Sequence, residues 1–267
     1  AALGPGAVTL EGRRTVAGQN ADRLWHTRGL VPASVIDPRD KGFIRWRSMR
    51  GMDPPADPVL FDMDGVLVDS ETYWNRFESA WVFETAVASG SPAHAEVTGM
   101  SFRESYDYLA SEYGTAVSKE AFVAKYEERA ESLYGEDVEL TAGTRALFDD
   151  LRAAGRAVGI VSSSPRAWID AVRERFDLGP LDLVVSADDI DGPGKPEPDI
   201  YEYAAAELGV APAACVVVED SPNGIAAAVR AGAFTIAYRS THNADLDLSQ
   251  ADTVVESPDA LRSLLCG

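Results

Sequence analysis

The sequence contains few cysteines and no long apolar run. Its 267 residues include two cysteines, Cys215 and Cys266. Two cysteines are too few for a disulfide framework and fit a reducing compartment, so we expect a cytoplasmic protein. No apolar run reaches the length of a signal-peptide core or a membrane-spanning helix, and we therefore expect no membrane partner.

Basic residues are also scarce. The chain has 43 acidic residues against 24 basic ones. Six acidic and nine basic residues fall in residues 1–57, so residues 58–267 hold 37 acidic against 15 basic residues, a net charge near −22. Such a surface repels polyanions and excludes nucleic acid as a partner. Because the acids are spread along the region rather than gathered in an interaction tail, we expect a halophilic cytoplasm.

The first 57 residues differ from the rest of the chain. They are rich in glycine, proline and arginine and show no clear periodicity. We expect residues 1–57 to be a disordered or loosely packed extension, and residues 1–51 to be extraneous, since Met52 is a natural start ahead of the first predicted strand. A targeting or partner-binding arm is the functional alternative.

Two aspartates follow the first strongly apolar segment. Residues 59–61 predict a short buried strand, which ends at Asp62, Asp64 and Gly65. The carboxyl edge of an open α/β sheet is where ligands bind. Side chains two residues apart in an extended chain point the same way, so one carboxylate can attack an electrophile while the other handles the leaving group's proton. An Asp-rich turn is the alternative interpretation.

Three serines directly follow a second predicted strand, residues 157–161. Ser162, Ser163 and Ser164 precede Pro165, which predicts a helix start. Hydroxyls and free N–H groups at such a helix start form an anion site. Simple N-capping by one of the serines is the alternative.

Two later segments supply further charged groups. Lys195, one of only four lysines, lies in a loop stiffened by Gly194 and two prolines, although most lysines in such loops are merely solvated. A predicted strand at residues 215–218 ends in Glu219 and Asp220, and two adjacent acids suit a hard cation with oxygen ligands. Capping of the next helix by Asp220 or Ser221 is the alternative.

These residues resemble, in order and spacing, the four sequence motifs of the haloacid dehalogenase superfamily of phosphohydrolases. The similarity covers residues 58–267 and is closest to the branch with β-phosphoglucomutase, phosphoglycolate phosphatase and small sugar-phosphate phosphatases. The dehalogenase members need no acid two residues after the nucleophile, so Asp64 favours phosphate-ester chemistry. The motifs in this chain are Asp62-Met63-Asp64-Gly65, Ser162, Lys195 with Pro196, and Glu219-Asp220-Ser221.

The resemblance implies a role for each of these residues. Asp62 would be the nucleophile that takes the phosphoryl group, and Asp64 would be the general acid and then the general base. Clustered carboxylates and a phosphate repel one another without a divalent ion, so magnesium is implied as the cofactor. The implied phosphate-binding residues are Ser162, Ser163 and Lys195, and the implied metal ligands are Asp62, Asp64 through its carbonyl, Asp220 and, as an outer or second ligand, Glu219.

The remaining pattern predicts a doubly wound parallel α/β sheet with an inserted helical cap. Strand and helix patterns alternate from Thr141 onward, which is typical of a Rossmann-like core. Between residues 73 and 139 the periodicity is helical and strand-like runs are absent. We therefore assign residues 58–72 and 140–267 to the catalytic core and residues 73–139 to an α-helical cap that closes over the site.

The cap is expected to set substrate specificity, but its sequence gives little information about which residues contact the substrate. Mutases of this family carry a substrate-binding arginine in the segment that resembles residues 99–105, but here Phe102 takes its place and Arg103 follows one position later. A step of one helical residue turns a side chain by about 100°, and an ion pair between Arg103 and Asp107 is an equal alternative. The aromatic stripe at Trp74, Phe77 and Trp81 favours the core of the cap over a substrate platform.

From the sequence we expect a magnesium-dependent phosphatase for a small phosphorylated metabolite, a sugar phosphate or a phosphoglycolate-like compound. A β-phosphoglucomutase-like sugar phosphomutase is the alternative. A non-catalytic protein that binds phosphorylated ligands on the same fold is the third hypothesis, disfavoured because every catalytic position holds a competent residue. We expect a monomer or a weak homo-oligomer.

Overall fold

The computed structural model describes residues 56–97 and 100–267. The predicted N-terminal extension, including Met52, lies outside the described residues except for positions 56 and 57. No helix in the described part of the chain is long and apolar enough to cross a lipid bilayer.

Six parallel strands form one sheet in the order β3-β2-β1-β4-β5-β6. The strands are rich in valine and isoleucine, and most of their residues are buried because helices cover both faces of the sheet, although the edge strand β6 keeps an exposed Val254. This confirms the predicted doubly wound architecture. The bounds are β1 Ala56–Phe61, β2 Arg156–Ser162, β3 Leu183–Ser186, β4 Val216–Glu219, β5 Phe234–Tyr238 and β6 Thr253–Val255.

Neighbouring residues of β1 show how the two faces are covered. The Phe61 ring lies 5.1 Å from the ring of Phe148, between centroids, on one face. Leu60 faces the other way, into an apolar cluster that includes Ile200 and Ala227. The first helix, α1 Glu71–Phe77, begins two residues before the predicted start of the cap and continues as a π-helical stretch Glu78–Ala86. We count it with the predicted cap, whose other helices are α2 Phe102–Glu112 and α3 Lys119–Ser132, followed by a second π-helical stretch Leu133–Asp137. The core helices are α4 Thr144–Ala153, α5 Arg166–Arg175, α6 Asp199–Glu207, α7 Pro222–Ala231 and α8 Pro258–Cys266.

One predicted boundary differs from the structure. The sequence predicts a helix from Pro196, but α6 begins at Asp199 with Pro198 as its N-cap. Proline lacks an N–H and disfavours helical geometry in the residue before it, so the two prolines keep residues 195–197 out of the helix. The chain there stays a loop, which lets Lys195 turn into the core.

Candidate active site

The loop after β1 places Asp62 and Asp64 at the carboxyl edge of the sheet. The backbone N–H of Asp62 donates to the carbonyl of Val218 at 2.9 Å, so the start of the loop is held against β4. Gly65 has φ +76°, and a Cβ at that position would lie 2.1 Å from Asp220 Oδ2. Glycine is therefore required where this loop passes the acids that follow β4.

Lys195 joins two of the predicted acids. Its Nζ donates to Asp62 Oδ1 and to Glu219 Oε1, each at 2.6 Å, and the side chain is buried. Burial alone would lower the pKa of Lys195, but the Asp62 and Glu219 carboxylates outweigh it and hold the pKa well above its usual value. The lysine therefore stays charged next to the predicted nucleophile.

The surroundings of Asp62 disfavour the ionised form of its carboxyl group. Burial raises the pKa of Asp62 well above its ordinary value; Lys195 opposes this, and the carboxylates of Glu219, Asp220 and Asp64 reinforce it. An ionised, nucleophilic Asp62 therefore needs more positive charge than one lysine supplies. A divalent cation is the kind of group that would supply it.

Glu219 is held by protein groups on both carboxylate oxygens. Oε1 also accepts from the Tyr201 hydroxyl at 2.7 Å, and Oε2 accepts from the backbone N–H groups of Asp220 at 3.1 Å and Ser221 at 3.4 Å. A Cβ on Gly224 would lie 2.0 Å from this carboxylate. Glu219 thus acts first as an anchor for Lys195. Sequence reasoning missed Tyr201, which contacts Glu219 from helix α6.

Asp220 has a histidine partner that the sequence pattern did not reveal. His242 Nε2 lies 2.6 Å from Asp220 Oδ2, and His242 Nδ1 lies 2.5 Å from Ser240 Oγ. Burial raises the pKa of Asp220 to about 6, although the hydrogen bond from His242 acts in the opposite direction. The Asn243 side chain donates to the Asp220 carbonyl at 2.8 Å, so the loop after β5 fixes this acid.

Three of the predicted metal ligands form a cluster that fits a cation. Asp62, Glu219 and Asp220 each offer a carboxylate oxygen within 4.8 Å of the others, and all three side chains are buried. Three buried carboxylates and one lysine leave negative charge uncompensated, and hard divalent cations take such oxygen ligands. The donor set therefore fits magnesium.

The carboxylate of Asp64 lies apart from this cluster. Its Oδ1 accepts from Ser70 Oγ at 2.5 Å and from the Tyr134 hydroxyl at 2.6 Å, and its Oδ2 accepts from Ser164 Oγ at 2.7 Å. The three donors orient the side chain, and a metal contact through the Asp64 backbone carbonyl stays a prediction. Tyr134 comes from the cap, 70 residues further along the chain, and sequence reasoning missed it.

The predicted anion site opens onto the same cavity. Ser162, Ser163 and Ser164 line it together with Asp62, Asp64, Lys195 and Asp220. Ser162 is buried and its Oγ accepts from the backbone N–H of Ser164 at 3.0 Å, a local turn contact ahead of the helix. The N-capping alternative is wrong, because α5 begins at Arg166 with Pro165 as its N-cap and no serine side chain caps it. The structure therefore brings the predicted core residues together around one cavity.

Arg103 is the predicted site residue that the structure places elsewhere. Its guanidinium lies 3.5 Å from Asp188 and 44% of its side chain is exposed, whereas Phe102 lines the cavity. The alternative pairing with Asp107 is wrong, because Lys119 Nζ occupies that carboxylate at 2.6 Å. A substrate contact by Arg103 stays a prediction.

An aromatic wall closes the cavity on the side of the cap. We use this term for Trp74, Phe102 and Tyr126 from the cap and Trp168 from α5, all of which line the cavity. Trp74 and Phe102 each stack on Trp168, with ring centroids 5.5 and 5.1 Å apart. Trp74 is thus both buried in the cap, as predicted, and part of the cavity surface. Trp168 was missed because it lies in a core helix far from the cap in sequence.

The raised pKa of Asp220 predicts a pH-dependent stability of the metal-free protein. The carboxyl has an ordinary pKa of 3.8 and a folded-state pKa of about 6, so the folded state keeps a proton that the unfolded state loses between these values. The stability from this group is full below about pH 4 and is lost as the pH rises through 6. In excess chelator, the free energy of unfolding of the wild type should therefore fall relative to that of Asp220→Asn by on the order of 3 kcal/mol between pH 4 and pH 7.

Urea denaturation across this pH range measures the difference. Asp245→Asn, at an exposed position, is the control and should keep the pH dependence of the wild type. A constant difference between Asp220→Asn and the wild type would contradict the expected titration.

Comparison with known proteins agrees with the geometry. The profile of the haloacid dehalogenase-like hydrolases matches residues 57–232. The chain belongs to this family. Its relatives include validoxylamine A 7'-phosphate phosphatase of Streptomyces hygroscopicus subsp. limoneus, 33% identical over 76% of this chain and 95% of the relative. Hexitol phosphatase B of Escherichia coli K12 is 34% identical over 63% of this chain and 77% of the relative.

Solved structures agree on the fold. The crystal structure of CbbY from Rhodobacter sphaeroides in complex with phosphate covers 76% of this chain and 94% of its own, with a TM-score of 0.63 and 23% identity. At that identity the likeness shows the architecture alone. The family match and the phosphatases among the relatives identify this hydrolase as one that cleaves phosphoric monoesters.

Proposed function

We propose that this hydrolase is a magnesium-dependent phosphatase of a small sugar-phosphate-like metabolite and works through an aspartyl-phosphate intermediate. The observation that carries the proposal is the position of Asp62 in the cavity, bound by Lys195 and flanked by an oriented second carboxylate, Asp64. The names of two relatives, validoxylamine A 7'-phosphate phosphatase and hexitol phosphatase B, support the substrate class.

In the first half of the proposed reaction, an Asp62 oxygen forms a bond to phosphorus while the bond from phosphorus to the ester oxygen breaks. Asp64 donates a proton to the departing oxygen, so the alcohol leaves neutral. The three donors on Asp64 hold its carboxyl in one orientation. In the second half, Asp64 takes a proton from water, and the water oxygen attacks phosphorus while the bond from phosphorus to the Asp62 oxygen breaks. Inorganic phosphate leaves and the Asp62 carboxylate is regenerated.

The remaining residues hold the transferring group. Lys195, Ser162 and Ser163 offer a charge and hydroxyls to its oxygens, where negative charge develops. Asp62 and Asp220, with the Asp64 carbonyl and Glu219 as an outer ligand, would hold magnesium, which supplies positive charge next to the phosphoryl oxygens. The aromatic wall excludes water from the cavity while the cap is closed.

Phosphate release separates this proposal from the mutase alternative. Purified protein with magnesium and a sugar phosphate should accumulate inorganic phosphate without a bisphosphate primer, because water suffices to attack the phosphoenzyme. Molybdate detection of phosphate and chromatography of sugar phosphate isomers measure both reactions in one sample. Interconversion of isomers well above the rate of phosphate release would establish the mutase instead, and ligand binding without either reaction would establish the binding protein.

The proposal also covers the salt concentration and the cellular compartment in which the enzyme works. The net charge near −22 of residues 58–267 supports a protein that works in high salt, where self-repulsion is screened. The two free cysteines support a reducing cytoplasm. The monomeric or weakly oligomeric state stays a prediction.

A further inference from the structure

The cavity has two chemically different ends. The nucleophile, Lys195 and the serines lie at the core end, where the phosphoryl group would bind. The cap end carries the aromatic wall and two glutamates, Glu71 and Glu78. The body of the substrate, the alcohol that leaves, must face the cap end.

The cap end has no positive charge to offer among the described residues that line the cavity. Their only cation is Lys195, and its ammonium already donates to Asp62 and Glu219. The same lining contains five acidic residues, Asp62, Asp64, Glu71, Glu78 and Asp220. A second anionic group on the substrate would therefore meet carboxylates without a counter-charge.

Glu71 and Glu78 are built into this end of the cavity. Glu78 accepts from the Tyr126 hydroxyl at 3.1 Å, so its carboxylate is tied to the aromatic wall, and its Oε2 lies 3.0 Å from His94 Nδ1. Burial raises the pKa of Glu71 well above its ordinary value, and the nearby Asp220, Asp64 and Glu78 raise it further. These causes favour the neutral form of Glu71, so the repelling charge at this end of the cavity is assigned to Glu78.

The aromatic faces and carboxyl groups of the cavity together favour a substrate whose alcohol part is a polyol. Aromatic rings pack against the C–H faces of a carbon chain or ring, and carboxyl groups accept hydrogen bonds from the hydroxyls of that chain or ring. Aromatic rings and carboxyl groups can also both bind an amine. We propose that the substrate is the monophosphate of a polyol whose body carries no second negative charge, and that Glu78, with no cation among the described residues on this part of the lining, rejects anionic bodies. This inference rests on the proposed phosphatase function.

A matched pair of substrates tests the inference. Glucitol 6-phosphate and 6-phosphogluconate differ only at one terminal carbon, which is an alcohol in the first and a carboxylate in the second. With the full chain in magnesium, kcat/KM for glucitol 6-phosphate should exceed that for 6-phosphogluconate by at least about 20-fold. Glu78→Gln should reduce this ratio several-fold, mainly through a lower KM for 6-phosphogluconate, since it removes a repelling charge.

The control variant is Glu84→Gln, an exposed glutamate in the same π-helical stretch as Glu78, which should keep the wild-type ratio. Hydrolysis of p-nitrophenyl phosphate and circular dichroism check that each variant is folded. Equal or faster hydrolysis of 6-phosphogluconate by the wild type would overturn the inference while leaving the phosphatase function in place. An unchanged ratio in Glu78→Gln would overturn the assignment to Glu78. Failure to hydrolyse any ester, p-nitrophenyl phosphate included, would overturn the proposed function itself.

Discussion

Asp62→Asn is expected to reduce kcat by at least about 10³-fold, a loss of roughly 4 kcal/mol or more in transition-state stabilisation. An amide is a far weaker nucleophile than a carboxylate, and water in the cavity would have to attack the ester directly. The fold should survive, because burial already disfavours the charged form of Asp62 and Lys195 keeps its second partner, Glu219. Single-turnover assays of phosphate release, with circular dichroism for the fold, measure both effects.

The matched control is Asp69→Asn. Asp69 is exposed in the same loop region, and its Oδ1 accepts from the backbone N–H of Glu139 at 2.6 Å, a contact that an asparagine oxygen can keep. This variant should retain activity within about twofold of the wild type. If Asp62→Asn kept more than about a tenth of the wild-type rate, a difference under roughly 1.4 kcal/mol, the aspartyl-phosphate mechanism would be wrong.

Removal of magnesium is expected to have the second largest effect. Excess chelator should lower the rate at least about 100-fold, and added magnesium should restore it, because Asp62 needs more positive charge than Lys195 alone supplies. Undiminished activity in chelator would remove the metal from the mechanism.

Two substitutions locate the ion. Asp220→Ala should weaken magnesium affinity more than Glu219→Ala, because both oxygens of Glu219 are already occupied by protein donors while Asp220 has one oxygen on His242. Calorimetric titration with magnesium measures the affinities without relying on turnover. A larger loss of affinity in Glu219→Ala would reverse the roles of the two acids.

The order of the motifs along the sequence was enough to predict the catalytic edge. Asp62, Ser162 and Glu219 each lie at the carboxyl end of a buried strand or directly after it, and parallel strands present those ends at one edge of the sheet. Apolar periodicity located the strands because both faces of the sheet are buried. Local chemistry and topology therefore sufficed for this half of the site, and the match to the hydrolase family agrees with it.

The other half depends on contacts between residues far apart in the chain. Trp168, Tyr134 and His242 carry no local signal that distinguishes them from ordinary helix, cap or loop residues. Their roles follow from where α5, the cap and the loop after β5 pack against the sheet edge. Arg103 shows the same limit, since the rotation of α2 directs it to Asp188 rather than into the cavity.

The sequence by itself thus determined the parallel sheet and the positions of the proposed nucleophile, its proposed acid partner and the acids that fit a metal, because these depend on strand ends and on residue type. Only the tertiary structure decided which groups surround the body of the substrate. The aromatic wall and the two glutamates of the cap come together through helix packing, and the direction of a side chain on a packed helix depends on neighbours that spacing along one chain does not specify.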